Sequence, residues 1–275
     1  MPVSQKVRTR IIAELKPFIH VVEEARKRDV SESDTVVIIG DMIAAIMGYR
    51  KYTEITTEFA IRGTFVDLAV KIESDVRFLV EAKAVNVDLK ESHIKQAVDY
   101  GANQGIEWVV LTNAARWMVF RIGFGQPISA TLVLDIDIVA VGHRNEEAIT
   151  LFGNLSREEF TKSGMQQVFM NRQATSPYAL AALLMAPDQL SYLRRELRRL
   201  NPGLRIEDDE IARVLKQDVL KRELVDSEDA TKAATALRKL QQSAERRKAA
   251  AAKSKDAAAA SSDGAESETL TEAGN

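Results

Sequence analysis

The sequence predicts an α/β fold, a mixed sheet flanked by helices, followed by a helical C-terminal region and a flexible tail. Three observations lead there. Two apolar-rich runs flank the polar "ESD" in "FVDLAVKIESDVRFLVEAKAV", the pattern of a hairpin. A helical stripe over Asp88–Asn103 separates them from two more strand-like runs, "EWVVLTN" and "WMVFRI". Past Gly142 the apolar spacing becomes helical, with polar joints.

Taken in order, residues 4–28 predict an amphipathic helix, with Val7, Ile11, Leu15 and Ile19 on one side. "VSESD" offers caps for a second helix over roughly 33–47, ended by Gly48. "TEITTEF" reads as a strand, parted from the next by Arg62-Gly63. The helix at 88–103 carries Leu89, Ile94, Ala97, Val98 and Gly101 on its apolar stripe. A strand, crossover helix and strand imply a parallel pairing with a right-handed connection. The expected core is therefore helix, three strands, helix, two strands. Trp108 and Trp117 fall in strand patterns and are expected in the core. Downstream, Ser156 and Glu159 have capping-box spacing, and Pro177 suits the first position of a helix through "YALAALLM". "DQLSYLRRELRRLNPG" puts Leu190, Leu193, Leu197 and Leu200 on one seam, with Arg194, Arg195, Arg198 and Arg199 away from it. "DDEIARVLKQDVLKREL" predicts another helix, and a third follows Ser227. From about residue 248 an alanine-rich, low-complexity run predicts a disordered tail. The expected division is an N-terminal helix (1–30), an α/β domain (31–142), a helical region (143–247) and the tail (248–275).

Composition narrows the function. The 275 residues are 45% hydrophobic and 28% charged, enough for one or two packed domains. The absence of cysteine excludes disulfides and cysteine-ligated zinc. His20, His93 and His143 are scattered, without the spacing of paired ligands. The polar, amphipathic start does not read as a signal peptide, and "VVIIGDMIAAIM" is too short to span a membrane. A soluble, cytoplasmic protein is the expectation. A net charge of −2 gives little support to general nucleic-acid affinity, so DNA contact would fall to local basic patches and bound metal.

The hairpin carries the chemistry. With residues 73–75 as its loop, Ile72 pairs with Val76, Val70 with Phe78, Leu68 with Val80 and Val66 with Ala82, all apolar and on one face. The other face collects Asp67, Lys71, Arg77, Glu81 and Lys83, with Asp67 opposite Glu81. Like charges about 4.5–5.5 Å apart destabilise a sheet. A divalent cation would compensate, and Lys83 adds positive charge alongside. Acid plus acid-x-lysine is a set able to hold one or two magnesium ions for phosphodiester hydrolysis. A solvated polar face on an amphipathic hairpin is the alternative. Gln96 and Tyr100, four apart on the next helix with His93 on the same stripe, could be carried over the strand end bearing Glu81. Ordinary helix surface is the plainer account of that pair.

The series "SESDTVVIIGDMIAAIMGY", "FVDLAV", "FLVEAKAV", "KQAVDYGANQ" and "WVVLTNAARWMVFRI", over residues 31–122, resembles the PD-(D/E)XK nuclease superfamily. Within it, the chain is similar to the nuclease domain at the N terminus of type I restriction endonuclease cleavage subunits. The resemblance implies a restriction-endonuclease-like core and a Mg2+-dependent endodeoxyribonuclease (Mn2+ as an alternative ion). It makes Asp67, Glu81 and Lys83 the metal-binding and catalytic residues and Gln96 and Tyr100 a "QxxxY" element. It sets Asp34 in the place of a supporting helix carboxylate. It also puts Thr112 and Asn113 at the end of a core strand, near the site but outside it. Val36 stands where an arginine is often found, and Val66 where the family name has proline. The 275 residues contain no G-x-x-x-x-G-K-[ST] phosphate loop, so no ATP-driven motor is expected in them.

The leading expectation is a DNA endonuclease of restriction-modification type. The alternative is a non-catalytic nucleic-acid-binding or assembly protein that keeps the fold and associates with a partner, or with itself, through its C-terminal helices. A nuclease active only when recruited by a separate motor or specificity subunit is a third. Arg194, Arg195, Arg198 and Arg199 are candidate phosphate contacts, although a solvated helix face is the simpler account.

Overall fold

The computed structural model describes residues 3–61 and 64–263, so the Arg62-Gly63 joint lies outside the described residues. The chain divides into two compact units, residues 1–172 and 173–275. The first unit thus extends beyond Gly142, because helices after that point pack on the sheet domain.

Helix α1 (Gln5–Arg28) buries Val7, Ile11, Leu15, Val22 and Ala25, spaced so that they share one face, while Ile19 is half-buried. Helix α2 (Glu32–Ala45) starts at Ser31, whose side chain accepts the Asp34 N–H. After Gly48, which turns with φ of 80°, come β1 (Ile55–Ile61), β2 (Thr64–Ile72) and β3 (Asp75–Ala82). Helix α3 (Glu91–Gln104) crosses to β4 (Trp108–Thr112), followed by β5 (Arg116–Gly123) and β6 (Ser129–Asp137). The six strands lie in sequence order. β3 and β4 are parallel, as the crossover requires, and every other neighbouring pair is antiparallel. β6 is an addition to the expected two strands after the helix.

The β2–β3 hairpin differs from its expected form in two places. Its loop is the two residues Glu73 and Ser74, both with positive φ (53° and 73°), the geometry of a type I′ turn. Ile72 therefore pairs with Asp75 and Lys71 with Val76. A bulge that leaves Arg77 unpaired then restores Val70 to Phe78 and Leu68 to Val80. The expected register is thus regained at Leu68 by a different route, while the expected Asp67–Glu81 and Val66–Ala82 pairs fall beyond the end of the ladder.

Both faces of the sheet are covered. On one side Leu68, Val70, Phe78, Val80, Ala82, Val110, Trp117 and Val119 pack with α1, α2 and α5 (Glu146–Leu155). On the other, Ala69, Leu79, Val109, Leu111, Met118 and Phe120 pack beneath Ala97 of α3. Val66 belongs to this second side, not with Leu68, so the expected run of one-sided apolar residues breaks at Asp67. The face bearing Asp67 and Glu81 is therefore a second buried layer, not a solvated surface. Trp108 and Trp117 are core residues, 6% and 0% exposed.

The first unit closes with α4 (Ile138–Val141), α5, α6 (Arg157–Phe160) and α7 (Gly164–Ala174). Ser156 caps α6 by accepting the Glu159 N–H at 3.4 Å, while Glu159 turns to the Ser4 N–H and to Lys162. In the second unit, α8 (Pro177–Leu184) starts at Pro177, and α9 (Pro187–Leu200) buries Leu190 and leaves Leu200 exposed. The helix expected over 208–224 is broken. α10 (Asp208–Val214) passes into a π turn, Leu220 is extended, and α11 (Glu223–Asp226) is separate. Helix α12 (Glu228–Asp263) continues well into the stretch read as a disordered tail; residues 264–275 lie outside the described residues. No helix among the described residues is long and apolar enough to cross a membrane.

Candidate active site

The site forms where β2 and β3 stop pairing. The ladder ends at Leu68–Val80. One step further, the Asp67 carboxylate replaces a backbone acceptor: its Oδ2 takes the Ala82 N–H at 2.6 Å. Glu81, only 2% exposed, lies in this layer next to Leu79. β3 ends at Ala82, and the Lys83 N–H continues the parallel pairing by donating to the Thr112 carbonyl at 2.9 Å. This bond fixes the backbone from which the Lys83 ammonium folds back to Glu81 Oε1, at 2.8 Å. Asn113, through its amide to the Val87 carbonyl at 3.0 Å, ties the next loop to the same strand end. Thr112 and Asn113 thus hold backbone beside the site.

Glu32 of α2 also reaches this ammonium, its Oε1 lying 3.6 Å from Lys83 Nζ. The sequence reading named Asp34 instead. Asp34 is turned to the helix cap, accepting from Ser31 Oγ at 2.9 Å while its own N–H donates to that oxygen at 3.2 Å. The signal was present in "SESD": a serine with an acid three residues on forms a cap, which leaves the intervening glutamate free. Glu58 is a further carboxylate missed in the sequence. It falls between the Thr57–Leu68 and Phe59–Val66 pairs, opposite Asp67, and takes a φ of 48°.

The electrostatics follow from crowding and burial. Burial, with the Asp67 charge adding to it and the Lys83 hydrogen bond opposing it, pushes Glu81 up to about 7. Burial raises Asp67 as well, with Glu32 and Glu58 adding to it and the Ala82 N–H and Lys83 acting against it. Burial disfavours the charged Lys83 ammonium, yet the bond to Glu81 and the surrounding carboxylates outweigh that and raise its pKa. Both carboxylates thus hold their protons more tightly than free ones do.

Gln96 and Tyr100 do share a face of α3, where Gln96 Nε2 donates to the Tyr100 hydroxyl at 3.2 Å. Their bond is to each other and not to the carboxylates. His93 accepts the Lys90 N–H at the start of α3 and is engaged there. In the second unit, Arg194 and Arg198 are bonded to Glu207, and Arg199 to Glu196. Arg195 stacks over Tyr192, its guanidinium 5.8 Å from the ring centre.

Whether these residues suit a metal can be judged from their donors. Magnesium is commonly held by one or two carboxylates, with water or phosphate completing its shell. Asp67 and Glu81 provide that set, and both carry raised proton affinity. Among the described residues, no group of three or more His, Asp or Glu side chains could hold an ion unaided. Asp67 and Glu81 match a magnesium ion in the kind and number of donors.

Residues 48–130 match the family model for the N terminus of the type I restriction enzyme R protein. The matched segment contains Asp67, Glu81, Lys83, Gln96 and Tyr100 and excludes Glu32 and Asp34. No curated protein and no solved structure matches the chain.

Proposed function

We propose that the Asp67–Glu81–Lys83 cluster hydrolyses phosphodiester bonds of DNA with a divalent cation, magnesium first and manganese as a substitute, in a restriction-modification setting. The observation that carries this reading is the Lys83 ammonium, 2.8 Å from a buried Glu81 at the strand end where Asp67 leaves the ladder. Asp67 and Glu81 would hold the ion. When bound, it would offset phosphate charge and make a coordinated water more acidic. Lys83 stands ready to release Glu81 and turn to the non-bridging oxygen or the attacking water, where a fixed positive charge is worth most in the transition state. Glu32 keeps that ammonium charged and aimed. The Gln96–Tyr100 pair supplies an amide and a hydroxyl, both able to bond a phosphate.

A second reading also has an observation behind it. Lys83 already neutralises Glu81, and three of the four α9 arginines are spent on acids. A non-catalytic domain that binds DNA or a partner would look the same. Incubation of the full chain with DNA, with and without Mg2+ or Mn2+, separates the two. Metal-dependent cleavage abolished by Asp67→Ala and Lys83→Ala, in variants that melt as wild type does, supports the nuclease. DNA left intact by wild type points to the binding domain. Cleavage that begins only when a motor or specificity subunit is added supports recruitment.

A further inference from the structure

At the end of the sheet away from Lys83, a cleft of about 510 Å3 opens between the β2–β3 turn, the start of β4, the end of β5 and the α6–α7 joint. Arg77 and Arg121 both line it. Arg77 is the extra residue of the β3 bulge, and a bulge re-aims a side chain out of strand alternation. Arg121 is paired in register with Trp108 of β4. Its guanidinium lies 4.5 Å from the Phe169 ring centre, and Phe169 stands edge-on to Trp108. β3 and β5 are two strand spacings apart, roughly 10 Å, so two long side chains can converge on one small ligand.

Both guanidinium groups are short of partners. The Nε of each is shut off from solvent with no acceptor, a state that native structures rarely leave unexplained. Among the described residues, Arg77 is ion-paired only with Asp75, at 3.3 Å, and Arg121 only with Glu107, at 3.6 Å, beyond hydrogen-bond reach. Glu73 and Glu107 also border the cleft, so its charge is mixed. Among the described residues, however, neither is hydrogen-bonded to a guanidinium. Two planar forks approaching from different strands call for more acceptor oxygens than one carboxylate has, and a tetrahedral phosphate has them. Ser163 and Gln166 add neutral donors on the open side. The volume suits a ligand up to the size of a mononucleotide.

We propose that this cleft binds a phosphate group clamped between Arg77 and Arg121, at a site separate from the Asp67–Glu81–Lys83 cluster. The phosphate could come from a free nucleotide or from a nucleic-acid backbone. The test is calorimetric titration of the full chain at low salt with inorganic phosphate, a nucleoside monophosphate and a short blunt DNA duplex. Arg77→Gln, Arg121→Gln and the double variant are titrated beside wild type, with melting curves as the folding control. Saturable binding of inorganic phosphate is expected, weakened at least about tenfold in Arg77→Gln, which sits at a half-buried bulge near the turn. The titrations are run without divalent metal and read heat rather than cleavage, so their outcome stands apart from the fate of the nuclease reading. If the double variant loses the monophosphate but keeps the duplex, the ligand is a free nucleotide; if it loses both, the backbone is also a ligand. No saturable phosphate binding by wild type, or equal binding by the double variant, overturns the proposal.

Discussion

Replacing Glu81 with glutamine should make the protein more stable relative to wild type as pH rises, while removing the proposed metal-dependent cleavage. The variant keeps the side-chain shape and an acceptor oxygen for Lys83, and it loses only the titration. In the folded wild type, burial lifts Glu81 from an ordinary 4.5 to about 7. A raised folded-state pKa means stability that is fully present below about pH 4.5 and lost as pH rises through about 7. Between those values the unfolded chain gives up the proton while the folded one holds it. At about 1.4 kcal/mol per pH unit, the full loss is roughly 3 kcal/mol. Glutamine escapes it. The stability difference, variant minus wild type, should therefore grow by up to about 3 kcal/mol from about pH 4.5 to about pH 7.5 and then level off. Urea melts in chelator, followed by tryptophan fluorescence, measure it directly, since Trp108 and Trp117 both lie in the unit that carries Glu81. A difference that stays flat across this range would refute the account of Glu81 as a strained, buried acid. Stability gained with activity lost is the mark of a residue kept for function.

Four further outcomes are expected. Lys83→Met should lower magnesium-dependent cleavage about 100- to 1,000-fold, whereas Glu32→Gln, half-exposed and 3.6 Å from the ammonium, should cost less than about tenfold. Asp34→Ala should leave cleavage unchanged and cost at most about 1 kcal/mol in a urea melt, because alanine keeps the backbone N–H that Ser31 caps and loses only the bond from Ser31 Oγ. Gly101→Ala would bring a methyl within 2.5 Å of Val109 Cγ2, lifting α3 off β4; about 1–3 kcal/mol should be lost by thermal melt, and cleavage should fall, because Gln96 and Tyr100 ride on that helix.

The sequence disclosed most where a single spacing decides the outcome. Alternation around "ESD" placed Leu68 against Val80 and so put Asp67 beside Glu81, because a slip would have moved every apolar residue to the wrong side. The crossover helix between β3 and β4 followed from chain direction alone. What escaped depended on competition between near-equal local choices. A two-residue turn with a later bulge and a three-residue turn have the same net register at Leu68, so the pattern near Asp67 could not tell them apart. Asp34 and Glu32 differ only in which one the Ser31 hydroxyl captures. β6 has Val133 and Leu134 buried in succession, so strict alternation does not reveal it. The second apolar layer under α3 was hidden because Ala69 and Leu79 interrupt the polar positions only briefly.

The odd residue in the hairpin has one more implication. Excising Arg77 would join Val76 directly to Phe78 and leave the β2 partners of β3 unchanged, giving a smooth ribbon that still ends at Leu68–Val80. The chemistry at one tip thus owes nothing to the insertion. What the insertion gives is a guanidinium re-aimed at the turn end, far from the carboxylates.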